Sequence, residues 1–177
     1  MTGSGPAAPA STDADRRWQW LTGDRPPAEA GGDARWWEAA RTARAAAEEL
    51  SQVQRALPEH WRAGEGRDEC DERLRRLVHR LEEAHETYRI VAEALAARAD
   101  GWTLARRTVR EAVAQAHRAG LVVAPDGTVT SPTTAVPTMA VRALARRLSA
   151  TVVTALARLD AVESRAADLI ATVSPPR

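Results

Sequence analysis

The strongest constraint on this chain is a pair of heptad-spaced apolar series separated by a turn rich in glycine. From Trp36, apolar side chains recur at Ala39, Ala43, Ala46, Leu50, Val53 and Leu57. From Cys70 they recur at Leu74, Leu77, Leu81, Ala84, Tyr88, Val91 and Leu95. Alternating steps of three and four put such residues on one stripe, the seam through which helices pack. Between the two series lies Leu57-Pro58-Glu59-His60-Trp61-Arg62-Ala63-Gly64-Glu65-Gly66. The pattern predicts a helical hairpin with Trp61, Gly64 and Gly66 at its turn, an interaction scaffold rather than a catalytic fold.

Composition agrees with an all-α class. Within 177 residues there is no Phe, one Tyr and two Met, so apolar bulk comes from Leu, Val, six Trp and many Ala. Alanine is the best helix former and lets helix axes approach closely. All 25 basic residues are Arg, and against 24 acidic ones the net charge is +1, so no global field favours nucleic acid. Glu and Arg alternate along the expected helices as solvated faces do. Cys70 stands alone, which excludes an intramolecular disulfide or a cysteine zinc cluster, and its place on the stripe suits a small hydrophobe. The N-terminus carries no apolar run of the signal-peptide kind, and no stretch reaches transmembrane length.

Along the chain, residues 1–30 read as a flexible tail rich in Gly, Pro, Ala, Ser, Thr and Asp. One island, Arg16-Arg17-Trp18-Gln19-Trp20-Leu21, interrupts it. Such aromatics are expected to dock, either on the chain's own helices or, through Trp18 and Trp20, on a partner. Gly31-Gly32 then breaks the chain and Asp33 is the expected N-cap of a first helix ending near Leu57, before Pro58. A second helix is expected over 67–119, with acidic residues in its first turns. Its stripe continues through Trp102, Ala105, Val109, Ala112 and Ala116, with Arg98 as a misfit. Asp100-Gly101 is the expected kink or break, and Gly120 the stop.

Residues 120–137 have another grammar. Leu121 to Ala124 and Thr128 to Thr130 flank Pro125-Asp126-Gly127, the signature of a small β-hairpin that must lean on the helices. Ser131 to Thr138 is linker, and a third helix is expected over 139–173 within the segment 138–177. Its face is Val141, Leu144, Leu148, Val152, Ala155, Leu159, Val162, Ala166, Leu169 and Val173. Segment 31–119 is thus the hairpin proper. Its Ala-rich surface is the kind that joins another helical pair in a four-helix bundle.

Constellations with chemistry are sparse. Glu82-x-x-His85 has the spacing that di-iron bundles use on one helix turn, but that site needs a second such motif and two more inward Glu residues. A solvated His85 is the expectation, and no cofactor is implied. Arg73, Arg75, Arg76 and Arg80 are interspersed with acids, whereas Arg106, Arg107, Arg110, Arg146 and Arg147 have fewer near them and leave an acidic partner open. No phosphate loop and no serine nucleophile motif appears.

The turn between two heptad helices resembles the WXG proteins of type VII secretion, the early secreted antigenic target-like hairpins that carry Trp-x-Gly at the turn. The resemblance covers about Asp33 to Trp102. Gly64 stands three residues after Trp61 instead of two, as a one-residue insertion would leave it. The family's Tyr-x-x-x-Asp/Glu export mark is absent, since Ala92 stands four after Tyr88. The extra helix and hairpin resemble extended members found beside secreted toxins. The resemblance implies a non-enzymatic adaptor, chaperone or secreted partner that pairs with another helical hairpin or with itself. A secreted toxin or the secretion machinery is then a further partner, and the route of export needs no signal peptide. The other reading of the same residues is a cytoplasmic coiled-coil scaffold.

Overall fold

The computed structural model describes residues 13–23, 32–132 and 137–173. Among them it is mostly α, with helices α1 (Asp13–Thr22), α2 (Asp33–His60), α3 (Glu65–Arg118) and α4 (Met139–Val173). Strands β1 (Val122–Val123) and β2 (Val129–Thr130) form a small antiparallel pair between α3 and α4. The tail expectation for residues 1–12 and 24–30, and the linker expectation for 133–136, lie outside the described residues.

Three local expectations are corrected. Gly32, not Asp33, is the N-cap of α2, and no side chain caps it; Asp33 opens the first turn, where its charge still complements the helix dipole. Pro58 does not end α2, which continues to His60. In the last turn a proline gives up one hydrogen bond, and the Trp61 N–H still reaches the Leu57 carbonyl at 2.9 Å. Helix α3 passes through Asp100-Gly101 without a break. A Cβ on Gly101 would stand 3.1 Å from Cγ1 of Val162, so this glycine serves the close approach of α4 to α3.

The end of α3 follows the expectation at Gly120. Its φ is +67°, the Gly120 N–H bonds the His117 carbonyl at 3.0 Å, and the Leu121 N–H bonds that of Ala116 at 2.9 Å. This is a Schellman cap, with glycine where the left-handed residue must be. The β-hairpin pairs Val122 with Thr130 and Val123 with Val129. Gly127, at φ +86°, is buried against Val152 and Val153, and Ser149 Oγ donates to its carbonyl at 2.9 Å.

The chain forms two compact units. The first gathers α1 with residues 100–162. Its core is the α3 stripe Trp102, Ala105, Val109, Ala112 and Ala116 against Leu148, Val152, Ala155 and Leu159 of α4, closed by Leu21, Leu121 and Val129. The second unit gathers residues 32–99 with 163–173, and here Arg98 Nε meets Glu163 Oε1 at 3.5 Å, an acid for the expected misfit.

Candidate functional site

The candidate site is the helical hairpin of the second unit, α2 against residues 65–99 of α3. Two contacts set its register. His85 Nδ1 donates to the Ala40 carbonyl at 3.0 Å, and Gln54 Nε2 donates to Asp71 Oδ1 at 2.9 Å. Toward the open end, the rings of Trp36 and Tyr88 meet at 5.8 Å with planes tilted by 47°. Helix α2 buries only Ala40, Ala43 and Ala47, and α3 adds Val91, Ala92 and Ala94. No residue from 48 to 90 is buried.

The expected seam therefore divides. Trp36, Leu50, Leu57, Leu74, Leu81, Tyr88 and Leu95 are half-buried, and Val91 is buried. Val53 and Leu77 lie on the outside, 53% and 41% exposed. One groove of the hairpin is lined by Ala39, Ala43, Ala46, Leu81, Ala84 and Tyr88, together with the polar Arg35, Glu38 and Thr42. Val53 follows Ala46 by seven residues and Leu77 precedes Ala84 by seven, so helical spacing continues this apolar side along the hairpin. The opposite groove is polar, with Arg44, Glu48, Gln52, Arg55, Glu82 and His85.

Trp61 leaves α2 in extended conformation and is 44% exposed at the turn. Gly64 follows at φ +133°, and its carbonyl accepts from the N–H groups of Arg67 and Asp68, starting α3. Glu65 and Asp68 put negative charge in that first turn. Arg67 Nη1 donates to the Arg62 carbonyl at 2.9 Å, tying the turn to the helix it opens.

The other two tryptophans of the expected partner site lie in the first unit. Residues 13–22, read from sequence as tail with a docking island, form helix α1, whose Leu21 is completely buried. Trp18 packs against the core of that unit, while Trp20 is 42% exposed and meets Trp102 edge-on. Leu21 and Arg17 carry this docking and were missed as anchors. The available signal was the Arg-Trp-x-x-Leu spacing, which puts Arg17 and Leu21 one helical turn apart.

His85 is half-buried and bonded to the Ala40 carbonyl, which corrects its expected solvation. Because a carbonyl only accepts, Nδ1 of His85 carries the hydrogen there. Among the described residues no three His, Cys, Asp or Glu side chains are grouped to hold a metal ion. Cys70 is half-buried on its helix face. The first Arg cluster is met by acids, Arg75 by Asp71 and Glu72 and Arg76 by Glu72. Arg89 lies between Glu86 and Glu93; its hydrogen bond holds the Glu86 carboxyl below its usual range, and both acids push the guanidinium up. No helix among the described residues is long and apolar enough to cross a membrane.

No protein-family model, no curated protein and no solved structure matches this chain.

Proposed function

We propose that this chain is a non-enzymatic helical-association protein of the WXG type, an adaptor, chaperone or secreted partner in type VII secretion. The observation that carries the association is the absence of any buried residue between 48 and 90. A two-helix layer without a core gains little from its own packing, since helical stability in proteins comes mostly from a covered apolar face. Its apolar side, from Ala39 and Ala46 to Val53 and from Ala84 to Leu77, has the spacing of a seam for another helical pair. A second hairpin laid on it completes a four-helix bundle. The exposed Trp61 at the tip adds an aromatic anchor of the kind interfaces concentrate. The assignment to type VII secretion rests on the Trp61-Gly64 turn between two heptad helices.

The test has two arms. Analytical ultracentrifugation of wild type and of Val53→Asp/Leu77→Asp reads association: a wild-type dimer, or a complex with a co-expressed hairpin, that the double variant loses. Expression in a Gram-positive host with an intact or an inactivated secretion ATPase reads export. ATPase-dependent appearance in the medium supports the secretion role. Retention in the cell with association intact favours the scaffold reading, in keeping with Ala92 at the place of the acidic export residue. A monomeric wild type that binds no hairpin would sink both.

A further inference from the structure

Helix α1 has 10 residues, too few to stay helical in water unaided, so its helix depends on the surface beneath it. That surface, the groove of the first unit in which Leu21 is buried, presents Trp102 and Arg106 of α3 and Leu156 and Asp160 of α4. Leu21 is its anchor, 0% exposed. Trp18 packs beside it, and Trp20 meets Trp102 with ring centroids 5.9 Å apart. The Arg17 guanidinium sits 6.0 Å from the Trp102 ring centroid, pairs with Asp160 and donates to the Leu156 carbonyl at 3.4 Å. Arg106 donates to the carbonyl of Gly23, just past the end of α1. One apolar anchor, one flat aromatic and one cation held by a carboxylate and a ring are the elements by which a groove reads a short amphipathic helix.

We propose that this groove is a receptor for a short amphipathic helix, and that its exchange ligand is the α1 of a second copy of the chain. These contacts belong to side chains of α1 and to its terminal carbonyl, so an identical helix arriving in trans remakes them, and exchange of an identical element is a low-cost route to association. What differs is the tether. A ligand on a short connection has an effective concentration on the order of millimolar, so the resident helix closes the groove at micromolar protein. The trans helix enters where the resident one is weakened. This surface uses other residues than the hairpin face and stands without the function proposed for that face.

The test is fluorescence anisotropy with a labelled peptide of residues 13–23, titrated with full-length wild type and full-length Leu21→Asp, which removes the resident anchor. A Leu21→Asp peptide is the control, and circular dichroism reads the fold. The variant chain is expected to bind the natural peptide at least about tenfold more tightly than wild type does, and the control peptide about tenfold more weakly than the natural one. Binding of the natural peptide to neither chain, or to both alike, overturns the proposal. If Leu21→Asp loses helix, Arg17→Ala takes its place, since it removes the resident pairing with Asp160 and the hydrogen bond to the Leu156 carbonyl without charging the core. Peptide binding above wild type is again expected, and equality with wild type overturns the idea.

Discussion

The ring of Trp61 lies over Gly66, so that a Cβ on that glycine would stand 3.2 Å from Cζ2 and 3.3 Å from Cη2 of the indole. The turn thus uses its second glycine to seat the tryptophan as well as to start α3. Gly66→Ala is expected to shift the ring from its seat while leaving helix content unchanged, because ring and glycine are both exposed. The indole N–H resonance of Trp61, assigned by comparison with Trp61→Ala, reads the shift. Trp61→Ala itself should cost about 2 kcal/mol or more of partner binding, about thirtyfold in affinity, with little loss of helix. Calorimetry with the partner and circular dichroism check it. A large helix loss at unchanged affinity would make Trp61 a plug for the hairpin end.

Val53 and Leu77 separate association from folding. Both are exposed, so Val53→Asp and Leu77→Asp should leave the far-ultraviolet dichroism of the monomer intact while abolishing association. Leu81 is half-buried and lines the groove wall, so Leu81→Asp should lose helix as well. Equal helix loss in all three variants would contradict this division.

Gly101 and Val162 form a size-matched pair in the first unit. Alanine for glycine inside a helix is worth about 1 kcal/mol in propensity, but overpacking costs about 1–3 kcal/mol. With Cγ1 of Val162 only 3.1 Å from the new Cβ, Gly101→Ala alone is expected to destabilise. Adding Val162→Ala should recover part of that loss, giving a coupling measurable in a double-mutant cycle of thermal melts. Additive effects would show that the close approach is unimportant.

Gly127 combines a left-handed backbone with a close neighbour. A Cβ there would stand 3.0 Å from Cγ2 of Val153 and 3.2 Å from Cγ1 of Val152, and its φ of +86° is disfavoured for any other residue. Gly127→Ala should destabilise by about 2–5 kcal/mol, the sum expected of left-handed strain and a pressed contact. Loss of the cross-strand contacts between Val123 and Val129 by nuclear magnetic resonance would accompany it.

The same turn should sense acid. The N–H of Thr128 donates to Asp126 Oδ1 at 2.8 Å, and this backbone bond, with a further one from the Thr128 side chain, holds the carboxyl below its usual value. A depressed carboxyl stabilises the fold fully above its unfolded pKa and loses that contribution as pH falls through the lowered folded value. The hairpin should therefore loosen below the ordinary carboxylate range, and in Asp126→Asn that part of the pH dependence should vanish. Titration of the Thr128 amide resonance reads both.

Much of the fold was written in short-range chemistry. Gly120 ends α3 because the chain must turn left-handed there, and Pro125-Asp126-Gly127 makes the β-turn for the same kind of reason. The face of α4 from Val141 to Leu159 and that of α3 from Trp102 to Ala116 follow from spacing alone, since a stripe that packs against one neighbour repeats with the helix, whereas Leu169, expected on the same α4 face, is exposed. The exposed Trp61 and the two glycines at the hairpin turn were likewise visible as residue types at a chain reversal.

Other features depended on what each residue meets in space. Residues 13–22 are helical because Leu21 joins the core that holds Trp102 and Arg17 pairs with Asp160 and the Trp102 ring, partners more than 70 positions away in the sequence. Gly101 lies in an unbroken helix because Val162 passes close to it, a contact no local rule contains. His85 faces inward because the hairpin register puts it against the Ala40 carbonyl. The heptad series of α2 divides for a related reason. At 3.6 residues per turn, the ten residues from Ala43 to Val53 fall about 80° short of three full turns, so Val53 stands on the solvent flank of a stripe whose centre holds Ala43. Periodicity names the stripe, but which part of it is buried depends on the curvature of both helices and on how many neighbours cover them.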